Sequence, residues 1–170
     1  MTFTANPVPC NHNCCICIYI AMRRSPLPSL PCMCANFRRT SRALTQLYEN
    51  ALRPLGLRAT QLTILQALSR AGEVSQGQLG EMLAMDTTSL TRTLAIMSRQ
   101  GWIAGRRGKD KRERRLRLSS TGERKLRCAM PVWERTQSQL RRQLGEQAWN
   151  SLLQVTHRVT EIVTTQGGSL

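Results

Sequence analysis

Apolar residues recur along this chain in two rhythms, one of three to four residues and one of two, and the changes of rhythm divide it. From Cys34 onward Phe37, Leu44, Tyr48, Ala51 and Leu55 repeat at helical spacing, and Pro54-Leu55-Gly56 predicts the end of that helix. Leu62, Leu65 and Leu68 predict the next. Ser75 followed by Gln78 is a capping-box start, with Leu79, Met82 and Leu83 at helical spacing behind it. After a tight turn at Ala84-Met85, Asp86 is placed to cap another helix, whose Leu90, Leu94 and Met97 share one face. Gly101 ends that helix and Trp102-Ile103 opens a strand. Leu116 and Leu118, alternating with Arg115 and Arg117, supply the returning strand of a two-stranded ribbon. Thr121-Gly122-Glu123 then begins a long helix with the stripe Leu126, Met130, Trp133, Gln137, Leu140 and Leu144, bent at Pro131. Gly145 breaks it, and Trp149, Leu152, Thr156, Val159 and Val163 carry a last helix to Gly167-Gly168.

Helix, tight turn, helix and charged ribbon in that order predict a mainly α fold with a small β-wing, a winged helix-turn-helix. The polar face of the helix after Asp86 opens with Thr87, Thr88, Ser89, Thr91 and Arg92. Short hydroxyls and one guanidinium at a helix start suit base edges and phosphates in a DNA major groove, although hydroxyls alone also suit plain solvent. Charge separates the two readings. From Arg99 to Arg117 the bases Arg99, Arg106, Arg107, Lys109, Lys111, Arg112, Arg114, Arg115 and Arg117 face only Asp110 and Glu113. A ribbon that merely needed solvation would mix its signs more evenly.

Composition extends the same bias to the whole chain. Over 170 residues, 25 Lys and Arg against 10 Asp and Glu give a net charge of +15, which points to a polyanionic partner. The aromatic share of 4% argues against a protein that stacks on single-stranded bases. No apolar stretch reaches the length of a membrane helix, so no membrane is expected, and the cytoplasm is the expected location.

Several of these motifs, taken together, resemble the MarR family of transcriptional regulators. They are Leu79-Gly80-Glu81-Met82-Leu83, Thr91-Arg92, Gly101-Trp102-Ile103, Asp110-x-Arg112 and Leu118-Ser119-Ser120-Thr121-Gly122. The resemblance covers roughly Cys34 to the C-terminus. It implies a winged helix-turn-helix over residues 57–119, with residues 34–56 and 120–166 forming dimerisation helices. It also implies an arginine, Arg112, that enters the minor groove, oriented by Asp110. A narrow groove concentrates negative potential and attracts such an arginine. A homodimer of this kind presents two reading helices to a pseudo-palindromic operator. Thr87, Thr88, Ser89, Thr91, Arg92, Arg99, Asp110, Arg112 and Arg114 are the expected DNA-binding residues.

Residues 1–33 lie outside the resemblance and are expected to form a tail with little order, or to precede a translation start at Met22 or Met33. Cys10, Cys14, Cys15, Cys17 and Cys32 crowd there with His12, but two separated Cys-x2-Cys pairs are absent, so neither metal nor other cofactor is expected. Arg23-Arg24 follow the apolar run instead of preceding it, unlike a secretory signal. Cysteines without an export signal read as thiols in a reducing compartment. Cys34 stands at a helix start close to Arg38 and Arg39, a setting that suits a redox-active thiol. Cys34, Ser41-Arg42-Ala43 and Tyr48 also resemble the organic-hydroperoxide-sensing branch of the family. There the first-helix cysteine is oxidised and two tyrosines hydrogen-bond it; Tyr48 matches one, and Arg38 stands where the other would be. Cys128 or Cys32 is then the candidate resolving thiol. A pocket for a small aromatic ligand, as much of the family has, is the competing mode of release. A homodimeric repressor is thus the expected function. A thiol-dependent peroxidase and a non-specific nucleic-acid binder are the alternatives. No catalytic set accompanies Cys34, and His157 reads as an ordinary surface or interface histidine, so no enzyme is expected.

Overall fold

The structure, a computed structural model, describes residues 31–108 and 114–166, the side chains at 107 and 166 excepted. Helix α1 spans Met33–Leu52 and passes into a 3-10 turn at Arg53–Leu55, which Gly56 ends in the left-handed conformation at φ 59°. Helix α2 is Ala59–Ala71, strand β1 Val74–Ser75, helix α3 Gln76–Leu83 and helix α4 Thr87–Arg99. Strands β2 (Ile103–Arg107) and β3 (Arg114–Leu118) precede helices α5 (Ser120–Leu144) and α6 (Glu146–Gln166).

The caps form as the sequence dictates. Gln78 N–H donates to Ser75 Oγ at 3.1 Å while Ser75 N–H donates to Gln78 Oε1 at 2.9 Å, so two orphan donors at the start of α3 are satisfied reciprocally. Asp86 Oδ1 accepts from Ser89 N–H at 2.9 Å and starts α4. The turn between these helices requires Ala84 at φ 47°, a left-handed residue without the usual glycine. Helix α5 continues through Pro131 to Leu144. Gly145, at φ 79°, ends it, and Arg141 Nη2 reaches Glu146 Oε2 at 2.5 Å across the joint.

The sheet has three strands, not the two expected, in the order β1-β3-β2 and antiparallel throughout. Val74 pairs with Leu116 and Ser75 with Arg115. Two residues are too few to show a period in sequence, which is why β1 escaped the pattern. The largest fully buried side chains among the described residues are Leu52, Ile64, Leu65, Leu68, Leu79, Leu90, Leu94, Met97 and Leu116. The core thus lies under the helix-turn-helix and the wing base, and α4 is held from behind by three of its own residues. At about 1.5–3 kcal/mol gross for each such side chain, that face fixes the helix with its opposite face outward.

Helix α6 is built differently. Leu153, Val155, Ile162 and Val163 are each about half exposed or more, and none of its described residues is buried. An amphipathic helix whose apolar residues meet no core in its own chain has a face left to cover. The described residues include no helix long and apolar enough to cross a membrane. The cysteine and histidine cluster of residues 10–17 lies outside the described residues. Among those described, no group of three or more His, Cys, Asp or Glu residues is arranged to hold a metal.

Candidate nucleic-acid interface

Thr87, Thr88, Ser89, Thr91 and Arg92 all lie on the exposed side of α4, opposite buried Leu90 and Leu94. They do not stand alike. Thr91 Oγ1 accepts a hydrogen bond from Gln76 Nε2 at 2.8 Å, which ties the start of α3 to the second turn of α4. The Ser89 N–H is engaged by Asp86, whose carboxyl that bond holds below the usual carboxylate range. Between α3 and α4 opens a cleft of about 630 Å³ lined by Gln76, Gly80, Met85, Thr87 and Arg114 among others. Its rim therefore brings a wing residue, Arg114, to the beginning of α4.

Arg114 reaches that position across Gly105 on the neighbouring strand: a Cβ at Gly105 would stand 3.0 Å from Arg114 Nε. The same guanidinium donates to Ser98 Oγ at 3.3 Å, a long contact that links the wing to the last turns of α4. Arg99 sits at the other end of the helix. Twelve residues from Thr87, at 1.5 Å per residue, place it about 18 Å away along the axis, so it does not join the N-terminal cluster. Asp110 and Arg112, expected at the wing tip, lie outside the described residues.

Sequence counting overstated the free positive charge of the wing. Glu73, between α2 and β1, takes Arg106 Nη2 on Oε1 at 2.6 Å and Arg106 Nε on Oε2 at 2.9 Å. It also takes Arg115 Nε on Oε1 at 2.9 Å, while Arg115 Nη2 donates to the Glu73 backbone carbonyl at 3.3 Å. Arg106 above all, with Arg115 beside it, holds the Glu73 carboxyl below the usual carboxylate range in spite of partial desolvation. Nothing near Glu73 in sequence marked it. Its partners are 33 and 42 residues away.

Lys125 was missed for the same reason. Its ammonium donates to the Leu55 carbonyl and lies 5.0 Å from the centre of the Trp102 ring, joining the turn after α1, the base of β2 and α5. The junction is closed by Ser119 N–H on the Trp102 carbonyl at 3.1 Å and by Gly122, whose missing Cβ would stand 1.9 Å from that carbonyl oxygen.

The candidate sensing residues are dispersed. Cys32 and Cys34 are exposed at the start of α1, where Arg39 donates to Asn36 Oδ1 at 3.2 Å, and Cys128 is exposed on α5. None of the three is in a disulfide. Tyr48 stands farther along α1, half-buried, and burial pushes its phenol above the ordinary range, so it remains a hydrogen-bond donor at neutral pH. It lines a cleft of about 600 Å³ with Phe37, Leu62, Trp133, Gln137 and Trp149 among others. The buried Oε1 of Gln137 has no hydrogen-bond partner there. His157 is exposed and pairs with Glu161 at 3.2 Å, as a surface histidine does.

Comparison with known proteins agrees with this architecture. Residues 55–113 match the MarR family. The HTH-type transcriptional regulator YwoH of Bacillus subtilis is 29% identical over 86 residues, which are 51% of this chain and 63% of that protein, so the chain matches less than two thirds of this relative's length. The M. tuberculosis transcriptional regulator MosR, solved in complex with DNA, is 29% identical with a TM-score of 0.72, over 82% of this chain and 99% of that one. A MarR variant from E. coli, solved with operator DNA, shares the fold at 22% identity and a TM-score of 0.67, over 74% of this chain and 91% of that one. The helix-turn-helix core, residues 55–113, thus matches the MarR family, and the described fold is similar to that of the transcriptional regulators MosR and MarR.

Proposed function

We propose that this chain is a homodimeric, sequence-specific regulator that binds double-stranded DNA in the cytoplasm, acts as a repressor and catalyses no reaction. The observation that carries the reading is the outward N-terminal face of α4, with Thr87, Thr88 and Arg92 exposed and Arg114 brought to its edge. The similarity to MosR, whose structure holds DNA, supports the same use of the face. Thr88 and Arg92 read base edges, the backbone N–H groups at the helix start meet phosphate, and Arg112, oriented by Asp110, enters the minor groove. Dimerisation through α1, α5 and α6 gives the apolar residues of α6 a partner and offers two reading helices to a pseudo-palindromic site.

Two modes of release compete. In the first, the exposed thiol of Cys34 attacks an organic hydroperoxide, forming a sulfenic acid and releasing the alcohol; Cys128 or Cys32 then displaces water to give a disulfide. In the second, a small aromatic ligand enters the cleft between α1, α2, α5 and α6. Its apolar walls, two tryptophans and the unpartnered Gln137 Oε1 favour a flat molecule that carries a hydrogen-bond donor.

Selection of bound duplexes from a random pool, repeated with an alkyl hydroperoxide and with an aromatic acid, tests the reading. One recovered pseudo-palindrome, lost on one of the two additions, is the expected result. Equal recovery of all duplexes would indicate a non-specific binder, and sustained hydroperoxide turnover with a thiol reductant would indicate a peroxidase.

A further inference from the structure

Arg106 and Arg115 stand directly opposite each other on β2 and β3. Two guanidinium groups at one rung of a ladder repel, and an antiparallel pair of that kind is destabilising by itself. The rung persists because Glu73 sits between the two: its carboxylate oxygens bond both side chains, and its backbone carbonyl takes a further bond from Arg115. Glu73 is no part of the wing. It belongs to the segment joining α2 to β1, so the clamp fixes the outer half of the described ribbon to the end of a core helix whose Leu68 is fully buried.

A clamp of this kind does two things at once. It sets the angle at which the wing leaves the core, and its one negative charge offsets one of the two positive charges while its oxygens occupy N–H groups of both guanidiniums that would otherwise be available to any phosphate. Arg106 is 65% exposed at its side chain, so only the pairing, not burial, keeps it from solvent anions.

From this geometry we infer that Glu73 is a specificity-determining residue, a positioning residue that fixes the wing and withholds Arg106 and Arg115 from the DNA backbone. The inference rests on the DNA-binding reading above. Counterion release makes it measurable: each guanidinium that neutralises a phosphate steepens the dependence of log affinity on log salt by about 0.9. In the wild-type chain these two arginines contribute little to that slope. Freed from Glu73, they contribute to binding of every duplex alike, so affinity for random DNA rises while discrimination falls.

The test measures binding of the full chain to its selected duplex and to a random duplex across a salt series. Four forms are compared: wild type, Glu73→Gln, Arg106→Gln, and the triple variant Glu73→Gln/Arg106→Gln/Arg115→Gln. Glu73→Gln is expected to steepen the salt slope by about one to two, to tighten random-duplex binding and to shrink the ratio between the two duplexes. Arg106→Gln is expected to leave the slope unchanged. The triple variant, with no charges left to release, is expected to return the slope to the wild-type value. If Glu73→Gln proves too unstable to study, Arg106→Gln decides alone: a slope flattened by about one means that Arg106 already meets phosphate, and the inference is overturned. Weaker binding of both duplexes by Glu73→Gln at an unchanged slope also overturns it, since Glu73 then serves folding only. A wild-type chain that binds no duplex contradicts the DNA-binding reading itself, and the inference with it.

Discussion

Gly122 offers a prediction whose sign, not only its size, depends on the packing described. It lies in the first turn of α5 with ordinary helical backbone, where replacing glycine by alanine stabilises an unobstructed helix by about 1 kcal/mol. A Cβ at this position, however, would stand 1.9 Å from the Trp102 carbonyl oxygen and 2.9 Å from its carbon. Ordinary carbon–oxygen contacts are no closer than about 3.3 Å, so the two segments must part by about 1.4 Å. The obstacle is backbone, and it is held by Ser119 N–H at 3.1 Å, so no side chain can swing away to relieve it. Overpacking of this kind costs about 1–3 kcal/mol, and a backbone obstacle places it at the upper end. Setting about 3 kcal/mol of strain against about 1 kcal/mol of propensity leaves a net loss near 2 kcal/mol for Gly122→Ala. For a chain of this size that is a fall in Tm of about 4–8 °C. Gly77→Ala is the control: on α3 a Cβ meets nothing closer than Ser75 Oγ at 3.9 Å, and the propensity gain should stand alone. Thermal melts of the three forms by circular dichroism make the comparison. A Gly122→Ala variant as stable as wild type, or more so, refutes the close approach of α5 to the base of the wing.

Three further expectations concern charge and chemistry. Arg112→Ala should weaken binding to all duplexes evenly and flatten the salt slope by about one unit, with Asp110→Ala costing less; an unaltered slope removes Arg112 from the DNA. Glu73 and Asp86 both have carboxyl groups held below their ordinary range, so the stability they contribute is complete above the unfolded carboxylate range, near pH 4, and is lost as pH falls through the folded values. Tm measured from pH 6 downward should decline on the acid side, and less steeply in Asp86→Asn; identical acid limbs in the two proteins refute this. Cys34→Ser should bind DNA as wild type does yet ignore an organic hydroperoxide, and a response equal to wild type transfers regulation to the cleft beside Tyr48 and Trp149.

What the sequence made legible was local. Ser75 with Gln78, Asp86 before a polar helix start, and Leu90, Leu94 and Met97 on one face each join residues three or four positions from the next, and the structure forms each of them. Contacts across long separations left no local trace. Glu73 reads as a lone acid before a strand too short to show a period, yet it governs two of the wing's bases. Lys125 reads as one more surface cation on α5 and instead spans Leu55 and Trp102. Gly122 is visible in the sequence as part of a motif, but its cause, the Trp102 carbonyl beneath it, lies 20 residues back. Charge counting erred in the same way: it treated nine bases as equivalent, whereas among the described ones Arg106 and Arg115 are paired with Glu73 and Arg114 stands beside the start of α4.

The proposed base-reading role of the exposed face of α4 is tested most directly by its own side chains. The ratio of affinities for a selected duplex and a scrambled one, at physiological salt, should be measured for wild type, Thr88→Ala and Arg92→Ala. Each substitution is expected to lower that ratio by an amount equivalent to about 1–3 kcal/mol, with little change in Tm, because both side chains are exposed opposite buried Leu90 and Leu94. A ratio unchanged in both variants would contradict the assignment of this face to base reading.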